Sequence, residues 1–145
     1  MANRAGAILA LSDFERSVAF YLSAIGFEVE ALYDDPPYAT LTLAGARLSL
    51  AEQGHPADDR PGVTLEAPRD RSRQNVVLVV EVDDARAEHA RLRGLGVEFL
   101  ADPYEPPQFS GRAAPALQAP LPARRGCRFF CVDPDGYLVE IEQVA

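Results

Sequence analysis

The sequence contains no lysine and no tryptophan, has only two cysteines, and has no long apolar run. All 14 of its basic residues are arginines, which we attribute to genomic composition bias. No stretch approaches the roughly 20 apolar residues that a membrane-spanning helix requires. Residues 1–7 lack the apolar run of a signal peptide. These absences argue against a membrane association and predict a soluble, cytoplasmic protein.

The acidic surplus limits the possible partners. The chain has 22 acidic residues against those 14 arginines, which gives a net charge of −8. Nucleic-acid binding needs clustered cations that displace counterions from phosphates, so this balance disfavours such a partner. A cationic or neutral ligand suits it better. With 145 residues, 48% of them apolar, the chain has the size and composition of one ordinary globular domain.

The two cysteines are predicted to be free thiols. Cys127 and Cys131 lie in an apolar and aromatic run that is typical of a strand. At about 3.3 Å per residue, their Cα atoms would be about 13 Å apart. A disulfide tolerates only about 7 Å. We therefore interpret both as small hydrophobic residues and not as a redox or metal-binding pair.

One order of predicted elements occurs twice along the chain. In the first copy, Ser12-Asp13 is a helix cap and Gly26 a helix stop. In the second copy, Asp83-Asp84 and Gly96 have these roles, and the caps Asp13 and Asp84 are 71 residues apart. The predicted strands are 5–11, 27–33, 38–43 and 46–52, then 75–82, 97–100, 127–132 and 137–144. The apolar stripe predicted for the second helix is Ala87, Ala90, Leu92 and Leu95. The pattern indicates a duplicated β-α-β-β-β unit.

Two segments fit neither copy. Residues 54–74 are rich in glycine, proline, aspartate and arginine and are interpreted as a linker. Residues 101–126 contain six of the 12 prolines and form a proline-rich insertion. We thus predict a single domain with a first module at 1–53, the linker at 54–74, and a second module at 75–145. Asp133-Pro134-Asp135-Gly136 is predicted to be a hairpin turn between its last two strands, not a catalytic motif.

Two phrases of the sequence resemble the vicinal oxygen chelate superfamily, which includes glyoxalase I, extradiol dioxygenases and bleomycin-resistance proteins. The first is Leu-Ser-Asp-Phe-Glu-Arg-Ser-Val-Ala-Phe-Tyr at 11–21, followed by Ile-Gly-Phe at 25–27. The second is Asp-Pro-Asp-Gly-Tyr-Leu-Val-Glu-Ile at 133–141. The resemblance implies an α+β fold, in which tandem β-α-β-β-β modules form a curved mixed sheet around a concave cleft. It also implies a homodimer, which is common in that superfamily.

The resemblance further implies four positions at which metal-using members carry His, Gln or Glu. In this chain they fall on Gly6, Ser49, Val77 and Glu140, with Leu50 as the alternative to Ser49. A stable divalent site generally needs three or more protein donors, so one carboxylate argues against a metal. We predict no metal and no other cofactor. The two histidines, His55 and His89, are predicted to be a loop residue and a solvated helix residue.

Strand alternation predicts which residues share a face with Glu140. The predicted ligand-binding residues are Arg47, Ser49, Val77, Val79, Phe130 and Glu140. Alternation alone leaves open whether Phe129 or Phe130 lines the cleft. Glu140 has two readings: it contacts a ligand cation or accepts a substrate proton, or it pairs with Arg47 or another arginine because buried charges require partners.

Three functions are compatible with these features. The first is a metal-free binder that sequesters a cationic or aromatic small molecule. The second is a metal-dependent lyase, isomerase or dioxygenase with a remodelled site that uses Glu140. The third is a partner-binding module that docks through its proline-rich segment. We take the binder as the leading hypothesis, since the net charge and the missing metal ligands favour it.

Overall fold

The structure is a computed structural model that describes residues 1–105 and 125–144. Most of the predicted proline-rich insertion lies outside the described residues. The chain divides into two compact units. The first contains Met1–Asn75 together with Asp133–Tyr137, and the second contains the described residues of 76–132 and 138–145.

The first unit contains one mixed sheet of four strands. Its elements are β1 (Gly6–Leu11), α1 (Phe14–Phe20), a π-helical turn (Tyr21–Ile25), β2 (Glu28–Asp34), β3 (Pro37–Leu43) and β4 (Ala46–Glu52). The strand order is β1-β4-β3-β2, in which β1 runs parallel to β4 and the other neighbours are antiparallel. The last strand of the unit, β4, therefore lies beside its first strand, β1.

The second unit repeats this topology. Its elements are β5 (Val77–Val82), α2 (Ala85–Gly94), β6 (Glu98–Phe99), β7 (Arg125–Val132) and β8 (Leu138–Val144). The strand order is β5-β8-β7-β6, again with only the first pair parallel among the described strands. Two mixed sheets with one main helix each confirm the predicted α+β class. The division into modules and linker stays a prediction.

Both helices begin where the sequence predicts a cap. The Asp13 carboxylate accepts a hydrogen bond from the Arg16 amide at 3.3 Å, and the Asp84 carboxylate accepts one from the Ala87 amide at 3.0 Å. The first helix departs from the predicted uniform helix, because its last five residues are π-helical. It ends at Gly26, whose φ of 97° favours glycine.

The core of each unit lies between its helix and one face of its sheet. In the first unit, Leu9, Leu11, Leu48 and Leu50 are buried, as the alternation predicts. In the second unit, Val139 and Ile141 are buried, whereas Leu78 and Val80 are half-buried. Since these residues occupy every second position, the intervening residues lie on the opposite face of each sheet.

The predicted apolar stripe of α2 is correct for Leu92 and wrong for Ala87, Ala90 and Leu95, which are exposed. The buried residues are Ala85, His89 and Leu92, while Leu95 is exposed. The prediction of His89 as a solvated residue is wrong as well. Its ring centroid lies 4.2 Å from that of Phe99 and 5.0 Å from that of Phe129. Two aromatic rings therefore provide a packing surface that the helical periodicity of apolar residues does not reveal.

Both cysteines are buried free thiols in β7, as predicted. Cys131 faces Val139 across the β7–β8 pair. This position places Cys131 on the same face as the core residue Phe129, two residues earlier in the strand.

The predicted hairpin turn is confirmed, and both of its aspartates are buried. Asp133 closes the turn by donating its amide to the Tyr137 carbonyl at 3.0 Å. The Asp133 carboxylate accepts a hydrogen bond from the Tyr21 hydroxyl at 2.6 Å. The Asp135 carboxylate accepts from the Ser17 hydroxyl at 2.8 Å, the Ser12 amide at 2.9 Å and the Ser12 hydroxyl. We call Asp133 and Asp135, with these three donor residues, the aspartate clasp of the first unit.

The clasp is completed by Tyr137, whose hydroxyl donates to the Ala10 carbonyl at 2.8 Å. Burial raises the pKa of Tyr137 to about 12, against an ordinary value of 10.0. Burial also raises the pKa of Asp133, although hydrogen bonds from Tyr21 and from backbone amides oppose that shift. Tyr137 is thus neutral in the folded protein at pH values where an unfolded tyrosine has begun to ionise.

This shift predicts an alkaline loss of stability that depends on Tyr137. The folded pKa is raised, so the contribution is complete below pH 10 and is lost as the pH rises from about 10 to 12. Tyr137→Phe should cost about 1 kcal/mol at pH 7 through the lost hydrogen bond. Above pH 10, the free energy of unfolding of this variant, measured with urea, should also fall less steeply with pH than that of the parent protein. Tyr33→Phe, at an exposed tyrosine, is the control and should change neither quantity.

Candidate functional site

One face of the second sheet gathers most of the predicted site residues. Phe130 and Glu140 are direct partners across the antiparallel β7–β8 pair, and Val79 is the partner of Glu140 across β5–β8. The residues of this face, called here the Glu140 face, are Val77, Val79, Glu81, Arg128, Phe130, Val132, Leu138, Glu140 and Glu142. Phe129 lies on the opposite face against His89. Phe130 is therefore the phenylalanine that accompanies Glu140.

Arg128 is the partner of Glu140. Its Nη1 donates a hydrogen bond to the Glu140 Oε1 at 3.1 Å, and both side chains are largely buried. Of the two hypotheses for Glu140, the structure thus shows the ion pair, and the partner is Arg128 and not Arg47. The six residues predicted from the sequence do not include Arg128. Alternation could have indicated it, because it precedes Phe130 by two positions and so lies on the same face.

Tyr104 packs against this ion pair. The Arg128 guanidinium carbon lies 5.5 Å from the centroid of the Tyr104 ring, and the backbones of the two residues exchange hydrogen bonds of 2.9 and 3.0 Å. Burial acts to lower the pKa of Arg128, but its interactions with Tyr104 and Glu140 outweigh burial and raise the pKa. Arg128 therefore remains a cation held between an aromatic ring and a carboxylate.

The same face combines exposed apolar residues with buried carboxylates. Val77 and Val79 on the outer strand β5 are 39% and 49% exposed, while Glu140 and Glu142 on the neighbouring strand are buried. Among the side chains that the structure describes on this face, the carboxylates of Glu81, Glu140 and Glu142 outnumber the guanidinium of Arg128. The face thus has apolar residues at its edge and more acidic than basic residues among its described side chains.

Arg47 and Ser49 lie in the first unit, on a different sheet from Glu140. Arg47 is exposed and pairs with Gly6 and Thr42, while Ser49 is buried between Ile8 and Thr40. The two residues share one face of β4, as predicted. The predicted ligand-binding role of all six residues stays a prediction.

The first unit also has a cavity of about 250 Å³ next to its Arg47 and Ser49 face. Ile8, Tyr38 and Ala51 line it from the sheet. His55 closes part of its rim, and its Nε2 lies 2.7 Å from the Glu52 Oε1. His55 is thus a loop residue, as predicted, but the sequence gives no sign of the cavity that it borders.

The positions implied for a metal do not fit one. A Cβ at Gly6 would lie 2.4 Å from the Arg47 carbonyl oxygen, so no side-chain ligand has room there without a shift of the strands. Val77 has no donor atom, and the Glu140 carboxylate binds Arg128. Within residues 1–105 and 125–144, no group of three or more His, Cys, Asp or Glu side chains is placed to hold a metal ion.

The sequence comparison decides the family. The profile of the Glyoxalase/Bleomycin resistance protein/Dioxygenase superfamily matches residues 5–141, which is nearly the whole chain. The chain belongs to this superfamily. No curated protein matches the sequence. Membership of the superfamily therefore leaves the chemistry to be argued from the residues themselves.

Solved structures similar to this superfamily member share its fold. One is a glyoxalase/bleomycin resistance protein/dioxygenase from Nocardioides, with 21% identity and a TM-score of 0.66 over 99% of this chain and 84% of that chain. A lactoylglutathione lyase from Agrobacterium tumefaciens has 15% identity and a TM-score of 0.64 over 95% and 90%. An integron cassette protein from the mobile metagenome of V. cholerae has 16% identity and a TM-score of 0.66 over 100% and 97%. At these identities, the likeness concerns the fold alone.

The described part of this superfamily member contains two main helices of moderate length. Neither of them, nor the π-helical turn that follows α1, is long and apolar enough to cross a membrane.

Proposed function

We propose that the protein binds a cationic, planar small molecule without a metal and that the Glu140 face contributes to its binding site. The proposal rests on one observation: exposed Val77 and Val79 lie on the same sheet face as the buried carboxylates of Glu140 and Glu142. Pockets for small molecules combine apolar walls with a few convergent polar groups. The valines offer an apolar surface to a flat ring, and the acidic side chains described on the face favour a cation over an anion.

The ion pair of the face supports a binding role more than a catalytic one. A general base needs a carboxylate that is free to take a proton, whereas Glu140 accepts a hydrogen bond from Arg128. Tyr104, which is 42% exposed and whose ring centroid lies 5.5 Å from the Arg128 guanidinium carbon, instead supplies an aromatic surface. Aromatic rings stack on planar ligands and attract cations. The expected homodimer remains part of the proposal and is open to sedimentation measurements.

The binding test uses a cationic dye on protein purified with a chelator. Proflavine, a planar cation at neutral pH, should bind saturably as followed by fluorescence anisotropy. Binding should be unchanged by EDTA, because no divalent ion takes part. The anionic aromatic dye 1-anilinonaphthalene-8-sulfonate should bind at least about tenfold more weakly, since the face repels anions. Equal affinity for both dyes, or loss of proflavine binding in EDTA, would contradict the proposal.

Val79→Lys should reduce proflavine affinity by about tenfold or more. The substitution places a cation on the apolar edge next to Glu140 and removes a surface on which the ring can lie. Val79 is 49% exposed, so the variant should remain folded. Val63→Lys is the matched control: it changes the charge equally at a valine that is 54% exposed but lies outside the Glu140 face. An equal effect of both variants would assign the change to net charge and reject this site.

A further inference from the structure

The first helix has two apolar stripes, and the sheet buries only one of them. The stripe that contains Tyr21 and Ile25 is buried in the first unit. The second stripe contains Phe14, Val18 and Leu22, which recur every four residues and are half-buried. A helix on one face of a sheet needs a single apolar stripe, so the second one is available for another contact.

This second stripe lines an open groove of about 750 Å³. The opposite side of the groove is formed by the end of β2 and the start of β3, including Leu32, Tyr33 and Pro37. Leu32 pairs with buried Ala39 and so shares the helix-facing side of the sheet, yet it is 57% exposed because α1 does not cover it. The volume lies within the range of about 300 to 1,000 Å³ typical of small-molecule sites.

The charged residues of the groove all have one sign. They are Asp13, Glu15, Asp34 and Glu52, and none of the described residues that line the groove is basic. Asp13 caps α1, and Glu52 contacts His55. Glu15 and Asp34 form no hydrogen bond or ion pair through their side chains with any residue in 1–105 or 125–144. Two carboxylates are therefore available at the border of an apolar groove.

We propose that this groove binds a small cationic amphiphile, a hydrocarbon body with a protonated amine. Phe14, Val18, Leu22 and Leu32 remove the hydrocarbon from water, and Glu15 and Asp34 attract the ammonium group. A fatty acid of the same length would meet carboxylates of its own sign. The groove lies on the helix side of the first sheet, opposite the Arg47 and Ser49 face, whereas the Glu140 face belongs to the second sheet.

Three probes with the same chain and different head groups test this proposal. Octylamine, octan-1-ol and octanoate are titrated into the full-length protein at pH 7.5 and followed by calorimetry and amide chemical shifts. Octylamine should bind with a submillimolar dissociation constant and shift the amides of 14–22 and 32–34. Octanol and octanoate should bind at least about fivefold more weakly. Raising the salt concentration should reduce this difference, because exposed charges are screened.

Two variants locate the site. Glu15→Gln with Asp34→Asn should weaken octylamine binding by about tenfold and leave octanol binding unchanged. Glu28→Gln with Asp58→Asn removes the same charge from exposed positions outside the groove and should have no effect. Ala19→Arg places a cation in the groove at an exposed helical position and should abolish octylamine binding. Ala90→Arg, at an exposed position of α2, is its control.

The results can also overturn the proposal. It fails if octanol or octanoate binds as tightly as octylamine, or if Ala19→Arg leaves the affinity for octylamine unchanged. It also fails if Val79→Lys weakens octylamine binding while the groove variants do not, since the amine would then lie on the Glu140 face. Failure of proflavine binding, by contrast, bears only on the function proposed for the Glu140 face.

Discussion

Asp135→Ala is expected to lower the free energy of unfolding by about 3 kcal/mol, the largest effect of any single substitution considered. The buried Asp135 carboxylate accepts hydrogen bonds from the Ser17 hydroxyl and from the amide and hydroxyl of Ser12. Alanine would leave these donors without an acceptor in or near the interior. Each unsatisfied buried donor costs about 1 to 3 kcal/mol, and the relief of burying a carboxylate offsets part of the total. Urea unfolding followed by circular dichroism measures the change.

Two further variants separate the lost hydrogen bonds from a change in charge. Asp135→Asn keeps one carbonyl oxygen as an acceptor and should lose less stability than Asp135→Ala. Asp58→Ala removes a carboxylate from an exposed loop position and should stay within about 0.5 kcal/mol of the parent protein. If Asp135→Ala were as stable as Asp58→Ala, the hydrogen bonds that Asp135 accepts in the clasp would contribute nothing to stability.

The ion pair of the Glu140 face should show strong non-additivity. Arg128→Met and Glu140→Leu are each expected to cost about 2 kcal/mol, because each leaves one largely buried charge without its partner. The double variant should recover much of the lost stability, because two apolar side chains of similar size pack against each other and no buried charge remains without a partner. Urea unfolding of the four proteins gives the coupling energy directly.

Arg47 supplies the control for this cycle. Arg47→Met removes an exposed arginine from the first sheet and should change the stability by less than about 0.5 kcal/mol. Arg47→Met combined with Glu140→Leu should be additive. Additive losses in the Arg128 and Glu140 pair would show that the 3.1 Å contact contributes nothing to folding.

Local chemistry is sufficient to predict most of the fold. Each of the eight strands in residues 1–105 and 125–144 lies within two residues of its predicted range, because glycine stops, aspartate caps and alternation act over a few residues. The second helix shows the limit of that reasoning. His89 is a core residue because Phe99 and Phe129 provide aromatic partners from β6 and β7. That contact depends on the sheet and cannot be read from the helix alone.

The candidate site could be predicted only in part. Alternation correctly associates Val79 with Glu140, its direct partner across β5–β8. It leaves the choice between Phe129 and Phe130 open, and only the β7–β8 register places Phe130 opposite Glu140. It does not reveal that Arg128 binds Glu140 through a diagonal contact, nor that the adjoining valines are exposed. The groove beside α1 is equally hidden, because the sequence shows a wide apolar helix surface without showing how little of it the sheet covers.

The aspartate clasp also sets the order in which the protein can be completed during synthesis. Its donors are Ser12, Ser17 and Tyr21, whereas their acceptors Asp135 and Asp133 follow more than 110 residues later. At about 5 to 20 residues per second, a ribosome needs several seconds to extend the chain from residue 75 to residue 137. During that interval, the nascent first sheet and its helix lack the five residues that close them. A fragment ending at Asn75 should therefore be a target for chaperones and proteases. Adding a peptide that contains residues 133–137 between strands β7 and β8 should protect this fragment.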